Sequence, residues 1–366
     1  MTIHCSYPLA QYQAHRDAID AAIRRTLDSG WYILGDEVTA FEAEFARYCG
    51  VSNAIGVANG TEALALALMA MGVGKGDEVI TVSHTAVATV AAIEQAGATP
   101  ALVDVEAHRF TLDPAELAGA LSPATKAIIV VHLYGQPADM DPIMTFARSH
   151  RLRVIEDCAQ AHGARYRGRR VGSIGDAGCF SFFPTKNLGA IGDGGAIVTP
   201  DANLAQRLRQ IREYGWQPRM ISAVSGINSR LDALQAAILR VKLPHLDADN
   251  AARVRIAQAY RRELNALPFV MPTPAENTDH VYHQFVIRAD RRDDLLNHLR
   301  AKGINAGLHY PQAVHQQPAY RDLPRRSSLR NTEALIPQII SLPIYPELGE
   351  TEIGQVVDAM RSFAHD

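Results

Sequence analysis

Short apolar runs alternate with helical patterns along the first two-thirds of the chain. The helical stretches repeat apolar residues at three- and four-residue spacing, most clearly at 62–71, 87–95, 114–121 and 142–150. The runs between them are rich in Val, Ile and Ala, which is typical of buried strands. They are 54–58, 78–82, 101–105, 127–132, 153–156, 178–182 and 196–199. Because strands that alternate with helices form parallel sheets covered on both faces, we predict an α/β fold with a mostly parallel seven-stranded sheet.

The alternating pattern of strands and helices changes after its last helix and is preceded by an additional helix. The connection between the runs at 178–182 and 196–199 has no helical pattern and is too short for a crossover helix. Parallel strands need such a crossover, so the last strand is predicted to pair antiparallel. An amphipathic helix is predicted at 11–27, before the first strand.

The last third of the chain changes to a different pattern. Helices are predicted at 231–242, 247–267, 293–302 and 351–363, and a strand at 281–289. The first of these helices is stopped by Pro244. We therefore expect two domains: a large one at 1–245, which includes the N-terminal helical segment, and a small C-terminal α+β domain at 246–366.

Composition narrows the classes of protein. The chain has 366 residues, 36 basic and 39 acidic side chains, a net charge of −3 and 47% apolar residues. Without a long run of like charge, neither a nucleic acid nor a membrane is expected as partner. Cys5, Cys49, Cys158 and Cys179 show no paired spacing, which indicates free thiols in a reducing compartment. No signal-peptide pattern is present and no apolar run is long enough to span a bilayer, so a cytoplasmic protein is expected.

A lone lysine follows one of the predicted buried strands. Lys186 stands five residues after Ser181 and precedes a glycine-dense turn at 192–195. An ammonium group is rarely taken out of water without a partner. One chemical reason to place it there is an aldehyde, because a desolvated lysine forms a Schiff base with pyridoxal phosphate (PLP). The alternative, for this segment alone, is a solvated loop lysine.

Other residues could supply the rest of a PLP site. Asp157 ends a predicted strand, where open α/β sheets bind ligands, and could keep the pyridine nitrogen protonated. Gln160 could donate to the ring oxygen. The strand–turn–helix at Gly60 and Thr61 offers free N–H groups to a phosphate, with Ser181 as a second donor. Taken singly, Asp157 could be a helix cap and the turn an ordinary βα connection.

Four motifs occur in one order along the chain: NGTEAL at 59–64, EDCAQAHGA at 156–164, FSFFPTKNLG at 180–189 and GINSRLDALQAAIL at 226–239. In this order they resemble the DegT-type nucleotide-sugar aminotransferases, which are fold type I PLP enzymes. The resemblance covers nearly the whole chain. It implies that Lys186 is the Schiff-base lysine and that Asp157 is the partner of the pyridine nitrogen. The remaining cofactor contacts that it implies are Gly60, Thr61, Gln160, Ser181 and, from the second subunit of a homodimer with shared active sites, Asn228.

The sequence departs from the family at the ring platform. Many relatives carry an aromatic residue where Ala86 stands, and that residue stacks on the cofactor ring. His84, or a residue from elsewhere, is therefore expected to cover the ring here. The polar loop with His309, Tyr310 and His315 is similar to the loop that lines the sugar pocket in the family. Arg230 is expected to reach the substrate across the dimer interface.

No metal site is expected. No two histidines fall at metal-ligand spacing beside acidic partners. We interpret His132, His162 and His280 as structural histidines. The basic stretch at 165–170 is interpreted as a solvated loop, with a contact to an anionic substrate as the alternative.

The resemblance implies a reaction as well as a cofactor. Glutamate is the implied amino donor, and a nucleotide-linked keto-sugar is the acceptor. The segments at 213–216, 228–232 and 238–243 are similar to the branch that aminates C3 of dTDP-linked 3-keto-6-deoxyhexoses, as in deoxysugar biosynthesis for lipopolysaccharide O-antigen. The alternatives are a C4 aminotransferase for a nucleotide-linked 4-keto-sugar, a PLP-dependent sugar dehydratase and a non-catalytic PLP-binding regulator. Dehydratases of this kind carry histidine in place of the lysine, so Lys186 argues against that alternative.

Overall fold

A computed structural model describes residues 2–365, and a seven-stranded sheet lies at its centre. The strands, numbered along the chain, are β1 (Asn53–Val57), β2 (Glu78–Val82), β3 (Thr99–Val103), β4 (Thr125–Val131), β5 (Arg153–Asp157), β6 (Arg165–Tyr166), β7 (Arg169–Arg170), β8 (Ala177–Ser181), β9 (Gly195–Thr199), β10 (Thr278–Asp279), β11 (Phe285–Arg288) and β12 (Ile339–Leu342). The central sheet has the order β1-β9-β8-β5-β4-β2-β3.

The predicted fold class is confirmed. Each predicted strand of the central sheet lies within two residues of an observed one. The pairs β3–β2, β2–β4, β4–β5 and β5–β8 are parallel. Strand β9 runs antiparallel to both β8 and β1, as the short connection after β8 predicts. The carboxyl ends of the parallel strands therefore meet along one edge of the sheet, where Asp157 and Ser181 end β5 and β8.

The helices cover both faces of this sheet and build the rest of the fold. They are α1 (Pro8–Ala14), α2 (Arg16–Ser29), α3 (Gly35–Cys49), α4 (Gly60–Ala70), α5 (Val87–Gln95), α6 (Leu117–Ala120), α7 (Met140–His150), α8 (Ala202–Ile211), α9 (Ala233–Lys242), α10 (Leu246–Leu264), α11 (Arg292–Ala301), α12 (Arg330–Leu335) and α13 (Glu350–His365). The helix predicted at 11–27 is two helices, because the backbone of His15 leaves the helical conformation between α1 and α2.

Three helices, α3, α8 and α12, were not predicted. Helix α3 does carry the helical signal, since Val38, Phe41 and Phe45 recur at three- and four-residue spacing and are buried. Phe41 and Phe45 pack edge-to-face against Phe182 of the segment that follows β8. Helix α3 therefore supports the strand that leads to Lys186.

The last third of the chain has its own apolar core. This cluster joins α10, α11 and α13 to the pair β11–β12, with Tyr260 and Phe285 among its fully buried members. Ile3, from the N-terminus, also belongs to it. Two other clusters lie around the central sheet. This separation supports the division near residue 245, which remains a prediction.

The basic stretch at 165–170 is not an open loop. Strands β6 and β7 form a hairpin, and β10 pairs with β6. Arg170 donates to Asp247 at 2.8 Å and lies 3.8 Å from the centre of the Tyr48 ring. Arg167 pairs with Asp141 at 2.8 Å. These internal partners explain the basic residues without an anionic substrate.

Two features concern the predicted reducing compartment and cytoplasmic location of the protein. All four cysteines are free, and Cys49, Cys158 and Cys179 are buried whereas Cys5 is partly buried. Among the helices of residues 2–365, none combines the length with the apolar character that crossing a bilayer requires. The reducing compartment and the cytoplasmic location remain predictions.

Candidate active site

Six of the residues singled out in the sequence line one cavity of about 520 Å³, a volume that suits a small ligand. They are Gly60, Thr61, Asp157, Gln160, Ser181 and Lys186. The cavity lies at the carboxyl ends of β5 and β8 and at the start of α4. These positions are far apart in sequence, and it is the parallel sheet that brings them together.

One end of the cavity is built to receive an anion. The Asn59 side chain caps α4 by accepting a hydrogen bond from the backbone N–H of Glu62 at 2.9 Å. A Cβ atom at Gly60 would lie 2.6 Å from the Cβ of Ser181, so only glycine lets the helix start approach this serine. The free N–H groups of the first turn, the helix dipole and the Ser181 hydroxyl therefore converge on one point.

Asp157 forms the floor of the cavity. Its Oδ1 accepts a hydrogen bond from the backbone N–H of Ala159 at 3.1 Å, and its Oδ2 accepts one from the Thr89 hydroxyl at 2.9 Å. Burial raises the pKa of Asp157, and the two hydrogen bonds and the positive charge of Lys186 oppose that rise. The bond to Ala159 resembles a cap, but the side chain also faces the cavity, where a cation could offset its desolvation.

Lys186 lies opposite, in the loop after β8. Burial lowers the pKa of Lys186 to about 8, while the Asp157 charge acts in the other direction. The next residue, Asn187, anchors the loop: its amide nitrogen donates to Asn250 Oδ1 at 2.8 Å and to the Val281 carbonyl at 3.1 Å. Lys186 is thus held on a fixed backbone with an amine that is easier to deprotonate than an ordinary lysine.

A second buried lysine provides a comparison. Burial also lowers the pKa of Lys242 to about 8. Its ammonium donates to Gln11 Oε1 at 2.9 Å and to the Gly189 carbonyl at 2.7 Å, away from the cavity. Lys242 therefore has a structural role, whereas Lys186 faces the open space.

Gln160 links the cavity to the polar loop near residue 310. Its Oε1 accepts from the Tyr134 backbone N–H at 2.7 Å, and its amide nitrogen donates to the Tyr310 hydroxyl at 2.9 Å. His309, next in the loop, is bound to the Ser341 hydroxyl at 2.8 Å. Tyr310 is therefore brought beside a cavity residue.

Two histidines predicted for the site lie elsewhere. His84 is fully buried, with Nε2 2.8 Å from the Tyr134 hydroxyl, and Thr85 and Ala86 line the cavity in its place. The structure does not bring His84 to the cavity wall because its ring packs against Phe110 and Tyr134 behind that wall.

His315 is likewise turned away. Its Nδ1 lies 2.6 Å from the Ser83 hydroxyl, and its Nε2 lies 3.2 Å from Glu333 Oε1. With only 2% of its surface exposed, His315 joins the polar loop to the sheet edge rather than lining the cavity.

Asn228 and Arg230 lie outside the cavity in the single chain. Asn228 is exposed and pairs through its backbone with Glu213. Nine large apolar side chains from the segments 31–33, 183–191 and 214–224 are exposed: Trp31, Tyr32, Ile33, Phe183, Ile191, Tyr214, Met220, Ile221 and Val224. We call these nine residues the apolar patch. Its Phe183 also lines the cavity, so patch and cavity are continuous.

One buried cluster has the composition of a metal site. Atoms of His132, Glu156 and Cys158 lie within 4.8 Å of one another. The Glu156 carboxylate, however, accepts from His132 Nε2 at 3.0 Å and from the backbone N–H groups of Gly172, Ile174 and Gly175 at 2.7–2.8 Å. These four donors occupy the carboxylate, which supports the structural interpretation of His132.

Sequence reasoning missed Thr85 and Thr89, which lead from the cavity to Asp157. The four-residue spacing of the two threonines was visible, but the segment 87–95 read as an ordinary apolar helix. The contact of the Thr89 hydroxyl with the carboxylate of Asp157, which ends β5, emerges only from the packing of the fold.

Known proteins resemble the chain over its whole length. Residues 13–361 match the model of the DegT/DnrJ/EryC1/StrS aminotransferase family. The chain is 48% identical to the dTDP-3-amino-3,4,6-trideoxy-alpha-D-glucose transaminase of Streptomyces venezuelae, over 97% of this chain and 94% of that protein. It is 45% identical to the UDP-N-acetyl-3-dehydro-alpha-D-glucosamine 3-aminotransferase of Acidithiobacillus ferrooxidans, over 100% of both.

A solved structure matches equally well. The crystal structure of S. venezuelae DesV in complex with a ketimine intermediate superimposes with a TM-score of 0.97 at 47% identity, covering 100% of this chain and 99% of that one. The predicted resemblance, and with it the expectation of a PLP-dependent aminotransferase, is confirmed. The chain belongs to the DegT/DnrJ/EryC1/StrS aminotransferase family.

Proposed function

We propose that this protein transfers the amino group of glutamate to C3 of a dTDP-linked 3-keto-6-deoxyhexose, with PLP as cofactor. The observation that supports the chemistry is that Lys186 and Asp157 line one cavity together with Ser181 and the start of α4, where an anion could bind. When bound, PLP supplies an aldehyde that takes up the amino group and a protonated ring that withdraws electrons.

The residues of the cavity fit this cofactor. Gly60, Thr61 and Ser181 would hold its phosphate, since glycine at position 60 lets the start of α4 approach the Ser181 hydroxyl. Asp157 would hold the proton on the ring nitrogen. Gln160, tied to Tyr134 and Tyr310, would contact the ring oxygen. Because Ala86 lines the cavity and His84 is buried behind it, we do not propose that His84 covers the cofactor ring.

Lys186 would move the proton of the reaction. A lysine with a pKa near 8 has a much larger neutral fraction at neutral pH than one at 10.5, so its amine can act as a base. Its Nζ would take the proton from the carbon that bears the donor's amino group and deliver it to the former aldehyde carbon of the cofactor. The second half of the reaction, with the keto-sugar, would use the same amine in reverse.

Support for C3 comes from the named activities of the relatives. Both relatives described above are named for a nitrogen at C3 of a nucleotide sugar. One name gives a dTDP-linked sugar and the other a UDP-linked sugar. That this protein uses a dTDP-linked sugar is therefore a separate, more specific proposal. Neither of these names supports the C4 alternative. Two other relatives, 48% and 45% identical, have regulatory names, but the presence of Lys186, Asp157 and Ser181 in one cavity supports an enzyme over a regulator.

The acceptor is tested with a panel of nucleotide keto-sugars. We expect glutamate-dependent amination of the dTDP-linked 3-keto-6-deoxyhexose, with the nitrogen placed on C3 by NMR and mass spectrometry. A dTDP-linked 4-keto-sugar and a UDP-linked 3-keto-sugar serve as competitors. Efficient amination at C4 without a C3 product would overturn the position, and preference for the UDP-linked sugar would overturn the nucleotide.

We also propose that the substrate is held by Tyr310 and by Arg230 of a second subunit. The bond between Tyr310 and Gln160 supports a place for Tyr310 beside the reacting groups. His309 shares that loop. His315 is engaged with Ser83 and Glu333, so we assign it to supporting the loop.

We also propose a homodimer with shared active sites, which the exposed apolar patch supports. Trp31, Met220 and Ile221 expose 60%, 71% and 61% of their surfaces, which is unfavourable in a lone protomer. Phe183 of the patch lines the cavity, and Tyr214 of the patch donates from its backbone N–H to the carbonyl of Ile227, next to Asn228. A second copy seated there would cover the patch and bring its own Asn228 to the phosphate end of the cavity.

Mixed dimers test the sharing of sites. Lys186→Ala and Asn228→Asp are each expected to be inactive, the second because a carboxylate would repel the phosphate. Mixing the two proteins should restore part of the activity, since each hybrid has one site with both native residues. Hybrids shown to form by differential tags, yet without activity, would mean that Asn228 serves only its own chain.

A further inference from the structure

Two threonine hydroxyls form a chain that ends on Asp157. Thr89, in the first turn of α5, donates to Asp157 Oδ2 at 2.9 Å. Thr85, one helical turn earlier, has its hydroxyl 2.9 Å from the Thr89 hydroxyl. Thr89 is fully buried, whereas Thr85 lines the cavity. The chain therefore connects the cavity wall with the carboxylate.

The direction of these hydrogen bonds can be deduced. A hydroxyl has one proton to donate. If Asp157 is ionised, Oδ2 only accepts, so the single proton of Thr89 lies on the bond to Asp157. The Thr89 oxygen must then accept from Thr85. Both hydroxyl dipoles point toward the carboxylate, and each bond strengthens the other.

This arrangement opposes the cost of burying the carboxylate. Burial raises the pKa of Asp157, and the Thr89 hydroxyl is the largest influence in the opposite direction, ahead of the Ala159 N–H and the charges of Lys186 and His132. The other titratable groups that act on this site are Cys158, Cys179 and Tyr310. The pKa values of these three are raised by their own burial, so they stay neutral near pH 7.

The geometry also leaves room for a ligand. An ionised carboxylate has about four acceptor sites. Ala159 and Thr89 each occupy one, on different oxygens, so the carboxylate is fixed in rotation while one site on each oxygen stays available. A protonated ring nitrogen in the cavity could use either.

We propose that Thr89, oriented by Thr85, is a positioning residue that keeps Asp157 ionised and aimed at the pyridine nitrogen of the cofactor. This inference rests on the proposed function. Without the Thr89 hydroxyl, the proton shared between Asp157 and the nitrogen moves toward Asp157. Each unit by which the pKa of Asp157 rises changes that distribution about tenfold.

The test uses enzyme loaded with PLP that carries ¹⁵N in the pyridine ring. The ¹⁵N chemical shift at neutral pH reports whether the nitrogen is protonated. We expect a protonated nitrogen in the wild type and in Thr89→Ser, which keeps the hydroxyl. In Thr89→Val, which has the same shape without the hydroxyl, the resonance should shift toward the unprotonated position. Thr85→Val should shift it in the same direction by less.

Cofactor occupancy is measured by absorbance in every sample. An unchanged ¹⁵N shift in Thr89→Val at full occupancy would overturn the inference and leave the proposed function standing. If the wild type binds no PLP, the proposed function itself fails. Should Thr89→Val not fold, Thr85→Val decides: a shift toward the unprotonated position supports the chain of hydroxyls, and an unchanged resonance overturns it.

Discussion

Replacing Lys186 with alanine should abolish turnover and leave a folded protein. Loss of a positioned general base alone costs on the order of 10²–10⁴ in rate, and here the same amine would also hold the cofactor. No side-chain hydrogen bond of Lys186 holds the fold together, so the thermal midpoint should change little. The measurement is amination of the keto-sugar, with circular dichroism and thermal melting of the same samples.

Lys242→Met is the matched control for this prediction. It removes a second buried amine whose pKa is also lowered to about 8. Because that amine is bonded to Gln11 and to the Gly189 carbonyl, its loss should lower the thermal midpoint while the protein still binds PLP. Residual turnover close to wild type in Lys186→Ala would show that another group carries the proton transfer.

Replacing Asp157 should separate activity from stability. In Asp157→Asn the ring nitrogen loses its anion and its proton, so turnover should fall on the order of 10²–10³. Because burial raises the pKa of Asp157, ionising this group opposes folding, and that cost grows as the pH rises through the raised pKa. Asparagine removes the cost, so the thermal midpoint at neutral pH should be unchanged or higher.

The pairing of these two readouts makes the prediction specific. A residue that serves only as a helix cap would lose stability on substitution and retain its chemistry. Near-normal turnover of Asp157→Ala with PLP bound, accompanied by a lower thermal midpoint, would therefore identify Asp157 as a structural cap.

Local patterns predicted much of the fold. The strands that end at Asp157 and Ser181 are short β-branched or aromatic runs bounded by polar residues, and such signals depend on few neighbours. Helix α3 carried its signal at Val38, Phe41 and Phe45 but was not predicted. The hairpin at 165–170 was interpreted as a loop, although its two-residue turn at Arg167 and Gly168 is a local signal. Its ion pairs with Asp141 and Asp247 could not be predicted, because those residues are distant in sequence.

The site residues also differ in whether a local segment or a contact between distant residues reveals them. Gly60, Ser181 and Lys186 were found because strand ends and glycine turns are visible in a single segment. His84 was expected at the ring because it precedes Ala86 in sequence, yet the packing of Phe110 and Tyr134 draws it behind the wall. Thr89 went unnoticed for the opposite reason, since its importance comes from a contact with a residue 68 positions away. Contacts of this kind follow from the fold and not from a motif.

Borohydride reduction tests most directly whether Lys186 carries the cofactor at the edge of the sheet. The reagent makes the link between a lysine and PLP permanent, and peptide mapping then locates it. We expect the label on the peptide that contains Lys186 and no label on the Lys186→Ala protein. Label on Lys242 or on any other lysine, with the peptide of Lys186 unmodified, would contradict it.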